Sequence, residues 1–189
     1  MNPMKVIPVQ FEGACNRHGI VPGQFLLAVS VARQEMQVFE LKRLENEDNH
    51  FRNYSLLRAC VVSTSRFGIG RQSGSNQTPL GLHRIAEKIG GDCPVGTVFK
   101  GRKPVGPVED GTPATAIVHR ILWLEGLQPG VNRGEGIDSH SRYIYLHGVR
   151  DESTLGRPAS RGCIHLGSAD LLWLYDLVPE GTLVWIADS

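Results

Sequence analysis

Short apolar or alternating runs, separated by breaks rich in glycine, proline and polar residues, recur along most of the chain. This is the pattern of buried and half-buried strands, with little that has the period of a long amphipathic helix. The runs Gln24 to Val31 and Glu35 to Leu41 flank Ala32-Arg33-Gln34 and predict a hairpin. Further strands are predicted over Leu56 to Ser63, Gly81 to Ile85, Thr97 to Lys100, Ala116 to Leu124, Tyr143 to His147 and Thr182 to Ala187. One helix is signalled. Ser168 can cap it, Asp170 lies in its first turn, and Leu171, Leu174, Tyr175 and Val178 share a face before Pro179 and Gly181 end it.

The charged stretch Leu41 to Asn53 reads as a helical or irregular insertion. Gly126 to Ser141, rich in glycine and polar residues, reads as a long loop and a candidate lid. With no repeats and no linker, the pattern predicts a single mainly β domain over residues 1–189. Its expected architecture is two packed mixed sheets with one short C-terminal helix.

Composition narrows the function. Hydrophobic residues make up 41% and charged residues 21%, ordinary globular usage, and 20 Lys+Arg against 19 Asp+Glu leave a net charge of +1. No basic surface for nucleic acid is indicated, and no run approaches the ~20 apolar residues of a membrane span. Met1 to Gln10 has one lysine and is broken by Pro3 and Pro8, unlike an export signal. Cys15, Cys60, Cys93 and Cys163 show no C-x-x-C spacing. A cytoplasmic protein is therefore expected, or a periplasmic one if an export signal has been removed.

The candidate chemistry lies near the C-terminus. In Tyr143-Ile144-Tyr145-Leu146-His147, alternation puts Tyr143, Tyr145 and His147 on one face and Ile144 and Leu146 on the core side. If Gly162 to Leu166 is also extended, Cys163 and His165 share a face and Ile164 points away. Two adjacent strands would then bring a thiol beside an imidazole, the pairing a cysteine nucleophile needs. An imidazolium neighbour would lower the thiol pKa to between roughly 3.5 and 7.5. Gly162 frees the backbone before the nucleophile, so the N–H groups of Arg161, Gly162 and Cys163 can converge on an oxyanion. No Asp or Asn is tied to His147, which leaves a backbone carbonyl such as that of Gly148 to orient the ring.

His147-Gly148, a loop, and Ser160-Arg161-Gly162-Cys163-Ile164-His165 resemble the catalytic motif of the L,D-transpeptidase (YkuD-type) family of bacterial peptidoglycan enzymes. Thr78-Pro79-Leu80-Gly81, Ser168-Ala169-Asp170 and Val178-Pro179-Glu180-Gly181-Thr182 extend the resemblance over about Phe25 to Ile186. It implies Cys163 as nucleophile, His147 as base, the Gly148 carbonyl as support for the ring, and Ser160, Arg161 and Gly162 as the turn leading to the nucleophile. The family most often has His between the Ser and Gly of the motif and Arg or Asn after the aliphatic residue. Here those positions hold Arg161 and His165, so the role of gripping a substrate carboxylate passes to Arg161. His165 and Tyr145 are the other candidate substrate contacts.

The resemblance also implies the reaction. Cys163 attacks the carbonyl between the L-centre of diaminopimelate and a terminal D-Ala, D-Ala leaves, and a thioester remains. Carbapenems, which acylate this family's cysteine, should acylate it here. In a cytoplasm the partners are soluble muropeptides in place of wall-bound stem peptides, and water is favoured as acceptor, giving an L,D-carboxypeptidase of muropeptide recycling. The alternative is an L,D-transpeptidase forming cross-links; an inactive peptidoglycan-binding module is disfavoured because Cys163 and His147 are both present. No cofactor is expected. Zinc held by His140, His147, Cys163 and His165 is the rival reading, but a C-x-H pair lacks the clustered spacing of zinc sites. The glycines from Gly68 to Gly74 precede no helix opening and read as a surface loop, not a nucleotide cradle.

Overall fold

The computed structural model describes residues 7–42 and 53–189; most of the predicted Leu41 to Asn53 insertion lies outside them. Ten strands carry the fold: β1 (Phe25–Ser30), β2 (Glu35–Leu41), β3 (Tyr54–Ser63), β4 (Gly81–Ile89), β5 (Thr97–Lys100), β6 (Lys103–Pro107), β7 (Ile117–Gly126), β8 (Tyr145–Val149), β9 (Ile164–Leu166) and β10 (Leu183–Ala187). Two helices accompany them, α1 (Val9–His18) and α2 (Ser168–Leu177). The mainly β class is as the patterning predicts, and α2 falls where its apolar face placed it.

Three features depart from expectation. The strands do not form two sheets. Hydrogen bonding runs continuously in the order β4-β10-β1-β2-β3-β9-β8-β7 and closes through a β4–β7 pairing. The cause is a change of partner within β7. Its first residues pair with β5, while Ile121 to Gly126 pair with β4. Between them the register shifts, and His119 takes a left-handed φ of 73°. A bulge of this kind bends a strand and re-aims its edge.

The second departure is α1. Its buried face is only Phe11, Ala14 and Cys15, and Gly13 interrupts it, so little in the sequence announces a helix. The third is β6, an exposed strand containing Pro104, Gly106 and Pro107, residues confined to edges because proline cannot donate to the ladder.

The sheet is apolar on both faces where both are covered. β1 is buried throughout, because Leu27 and Val29 enter the main core while Leu26 and Ala28 meet α1. The main core also takes Leu122, Leu124, Leu146, Ile164 and Leu166, with Leu171, Leu174 and Tyr175 of α2 packed on them. Burying each large aliphatic side chain is worth about 1.5–3 kcal/mol. The alternate residues of β7 and β8, Ile121, Trp123 and Tyr145, therefore point to the opposite face, where they pack with Phe99 and partly with Cys163. Strand alternation alone thus carries the candidate nucleophile out of the core.

Ser168 does not cap α2 through its side chain; the N-cap is Gly167, and the Glu152 carboxylate accepts the Ser168 N–H at 2.6 Å. The Gly126 to Ser141 loop is tied down, not poised as a lid. Asn132, fully buried, donates to the carbonyls of Leu80 and Leu82, and Gln128 accepts the Leu82 N–H. Among the described residues no helix is long and apolar enough to cross a membrane.

Candidate active site

β8 and β9 are parallel neighbours, with Leu146 beside Ile164 and His147 beside His165. The two aliphatic residues face the core, so the two imidazoles share the outer face, their ring centroids 4.8 Å apart. Cys163, one residue before β9, opens with them into a cleft of about 310 Å³ lined also by Arg66, Thr115, Ile117, Ala159, Ser160 and Arg161. The sequence-predicted residues Cys163, His147, Ser160, Arg161 and His165 are thereby brought together. Tyr145 lies on the same face, deeper, against Trp123. Tyr143 does not belong to the strand; it takes a left-handed φ of 57° in the turn before β8 and is exposed.

His147 Nδ1 lies 2.7 Å from the Gly148 carbonyl. A carbonyl can only accept, so Nδ1 carries the proton and Nε2 keeps its lone pair. Glycine is required at 148 because a Cβ there would come within 2.7 Å of His119 Cδ2 and 2.8 Å of the Val118 carbonyl.

The nucleophile turn is bound to itself and to a second segment. Ser160 Oγ donates to the Cys163 carbonyl at 2.5 Å and accepts the Gly162 N–H at 3.2 Å. Gly162 has φ 116°, and a Cβ on it would press on the Gln77 carbonyl and Ile144 Cδ1. Thr78, fully buried, donates to the Gly162 carbonyl at 3.1 Å and accepts the Ser65 N–H at 3.0 Å. The role of Thr78 as a brace for this turn was not readable from residue type. The Gly162 N–H is taken by Ser160 Oγ, which removes it from the expected trio of oxyanion donors.

The resting protonation also differs from expectation. Burial pushes the Cys163 thiol up to about 11, with the Tyr145 N–H and the Arg142 charge pulling less strongly the other way. The thiol lies 3.4 Å from the Tyr143 carbonyl, an acceptor that favours S–H. Burial holds His147 down to about 4, against a weaker opposite effect of the Gly148 carbonyl. Burial and the neighbouring His147 hold His165 down to about 3. The pair at rest is a neutral thiol and a neutral imidazole, not a thiolate–imidazolium pair. His147 can serve as a base only by taking the proton as the sulfur attacks.

A hairpin lies beside the site in place of the predicted lid. At the β5–β6 turn, Arg102 stacks over Trp123 at 4.4 Å and Tyr143 at 5.0 Å and donates to the Tyr145 hydroxyl at 3.3 Å. A second cleft of about 220 Å³, lined by residues that include Asn76, Arg142, Tyr143 and Ile144, meets the first at Arg161. His140 stands apart from the nucleophile, stacked on Trp123. Among the described residues no three His, Cys, Asp or Glu side chains converge as a metal site. All four cysteines are free.

The buried histidines predict acid sensitivity. His83, fully buried between the Gly81 carbonyl and Ser139 Oγ, is also held down to about 4 by burial. For His83, His147 and His165 the unfolded chain binds protons near pH 6.5 that the folded one refuses. Stability is therefore present above pH 6.5 and lost as pH falls towards 4 and 3. At about pH 5 the three together should give a slope of roughly 4 kcal/mol per pH unit. Urea unfolding between pH 7 and 4.5 measures it, and a flat stability over that range would contradict the buried neutral state.

Similarity to known proteins agrees with this geometry. A family model described as the YkuD L,D-transpeptidase catalytic domain matches residues 25–186. An L,D-transpeptidase YkuD of Bacillus licheniformis is 44% identical over 41 residues, 22% of this chain and 25% of that protein. Among solved structures, Bd1075 of Bdellovibrio bacteriovorus superposes with a TM-score of 0.55 at 15% identity, over 88% of this chain and 48% of that one. L,D-transpeptidase 3 of Mycobacterium tuberculosis, solved with a faropenem-derived adduct, gives 0.50 at 16% identity, over 86% and 60%. At such identities the likeness speaks for the fold, and the chain spans about half the length of these structures.

Proposed function

Since the chain belongs to the YkuD L,D-transpeptidase catalytic domain family, we propose that it performs cysteine-dependent acyl transfer on peptidoglycan tetrapeptide stems, with water as the usual acceptor. One observation carries the reading: Cys163 and His147 open into the same cleft, and His147 is fixed through Nδ1 on the Gly148 carbonyl. Cys163 Sγ attacks the carbonyl between diaminopimelate and D-Ala while His147 Nε2 takes the thiol proton. The C–N bond breaks, the proton passes to the amine of D-Ala, and the tripeptide remains as a thioester. Water, deprotonated by His147, then releases the tripeptide and restores the thiol. Arg161 and Cys163 N–H groups stabilise the oxyanion in both halves, and His165 lines the floor of the cleft.

Neither cleft has an Asp or Glu in its lining, while Arg66, Arg142 and Arg161 stand in them. An ammonium-bearing acceptor is repelled by such a surface and water is not, which supports hydrolysis, the L,D-carboxypeptidase outcome; with it goes the proposal that soluble muropeptides of the cytoplasm are the substrates. The second reading, a cross-linking L,D-transpeptidase, draws on the second cleft, because the turn that lines it also contacts the nucleophile through the Tyr143 carbonyl. The product mixture decides. A purified tetrapeptide muropeptide should yield D-Ala and tripeptide with few dimers, even with amine acceptor in excess. Dimers as the main product, by mass spectrometry, would establish the transpeptidase, and recovery of the protein from the periplasm would remove the recycling role.

A further inference from the structure

We infer that Arg66 and Arg161 together clamp a free carboxylate of the donor stem, which makes Arg66 a specificity-determining residue outside the motif around Cys163. The inference rests on the acyl-transfer reading above. An isolated parallel bridge joins Ser65 to Ser160, closed by the Arg66 N–H on the Ser160 carbonyl at 3.1 Å and the Ser160 N–H on the Thr64 carbonyl at 2.9 Å. The residues one step further along each chain are Arg66 and Arg161. Both are exposed, and both line the cleft that holds Cys163.

Two like charges at neighbouring strand positions repel one another. Among the described residues no acidic side chain forms an ion pair with either. Among the described residues the arginine ion pairs belong to Arg33, Arg58, Arg84 and Arg150. The third arginine nearby, Arg142, is committed to the carbonyls of Gly70 and Gln77. The cleft that holds Cys163 therefore presents two guanidinium forks without an anion. A guanidinium fork grips a carboxylate through two parallel hydrogen bonds. The backbone beneath both arginines is fixed by Thr64, Thr78 and Ser160, so only the side chains have to order when the anion arrives.

The stem offers two such groups near the scissile bond, the terminal D-Ala carboxylate and the side-chain carboxylate of diaminopimelate. Calorimetric binding to Cys163→Ala protein separates them, using the free tetrapeptide and two stems, each amidated at one carboxylate. One amidation should weaken binding roughly ten- to a hundredfold, the size expected for charge-assisted hydrogen bonds, and which one it is names the carboxylate. Adding Arg66→Gln should weaken the free stem by a similar factor and erase most of the discrimination; Arg66→Lys should fall between. Discrimination that survives Arg66→Gln, amidated stems that bind like the free one, or no stem binding at all would each overturn the clamp. The acyl-transfer reading is judged separately, by whether a small neutral activated ester forms a thioester on wild-type Cys163, since that probe has no carboxylate for the arginines to hold.

Discussion

Cys163→Ala should abolish D-Ala release, on the order of 10⁴- to 10⁶-fold in kcat, and should gain no covalent adduct from a carbapenem, where the wild type is expected to gain one. The physical basis is that no other group can replace it. Cys163 is the only nucleophilic sulfur in the lining of the cleft, and Cys15 and Cys60 are buried, with burial pushing each up to about 12. The fold should survive. Cys163 is half-buried and only partly packed on Trp123 and Tyr145, and the turn that carries it is held by Ser160 and Thr78, not by the sulfur. A loss of about 1 kcal/mol or less is expected on urea unfolding. Intact mass spectrometry after exposure to the β-lactam reads the adduct directly. An adduct of equal yield on Cys163→Ala would place the nucleophile elsewhere.

Much of this site was legible because it is written in strand alternation. Leu146 and Ile164 had to face a core, and that requirement alone sent His147, Cys163 and His165 to one side. The parallel pairing of β8 with β9 was not legible, since two short runs joined by one loop more simply form an antiparallel hairpin. Left-handed and bulged positions were not legible, since Tyr143 and His119 hold conformations that residue type does not reveal. For the same reason the run predicted from Tyr143 begins at Tyr145, and the partner change in β7 that merges the expected two sheets could not be foreseen.

Contacts between segments distant in sequence were equally hidden. Thr78 was visible only as part of a strand entry, yet it braces Gly162 across 84 positions of sequence. The place of Arg66 was not legible in the sequence because it comes from the Ser65–Ser160 bridge, a feature of the folded chain alone. The expected low thiol pKa failed on burial. Cys163 and His147 line one cleft, but burial acts on both groups and favours the neutral form of each.

That neutral pair sets the expectation for the base. His147→Gln should slow acylation at pH 7 by about 10²- to 10⁴-fold, the usual contribution of a positioned general base. Glutamine is the informative choice, because its amide N–H can still donate to the Gly148 carbonyl while offering no basic nitrogen. With the thiol at about 11, only on the order of one molecule in 10⁴ is ionised at pH 7. The variant must rely on that fraction. Its acylation rate by a small activated ester should rise about tenfold per pH unit from 7 towards 10. The wild type should behave differently, because His147 is neutral and able to accept a proton at any pH above its value of about 4. Its acylation rate should be level through neutral pH and fall on acidification, where protonation of the buried histidines destabilises the fold and removes the base. The two profiles should therefore converge at high pH. Parallel profiles, with the variant slower by the same factor throughout, would show that His147 shapes the cleft without moving a proton.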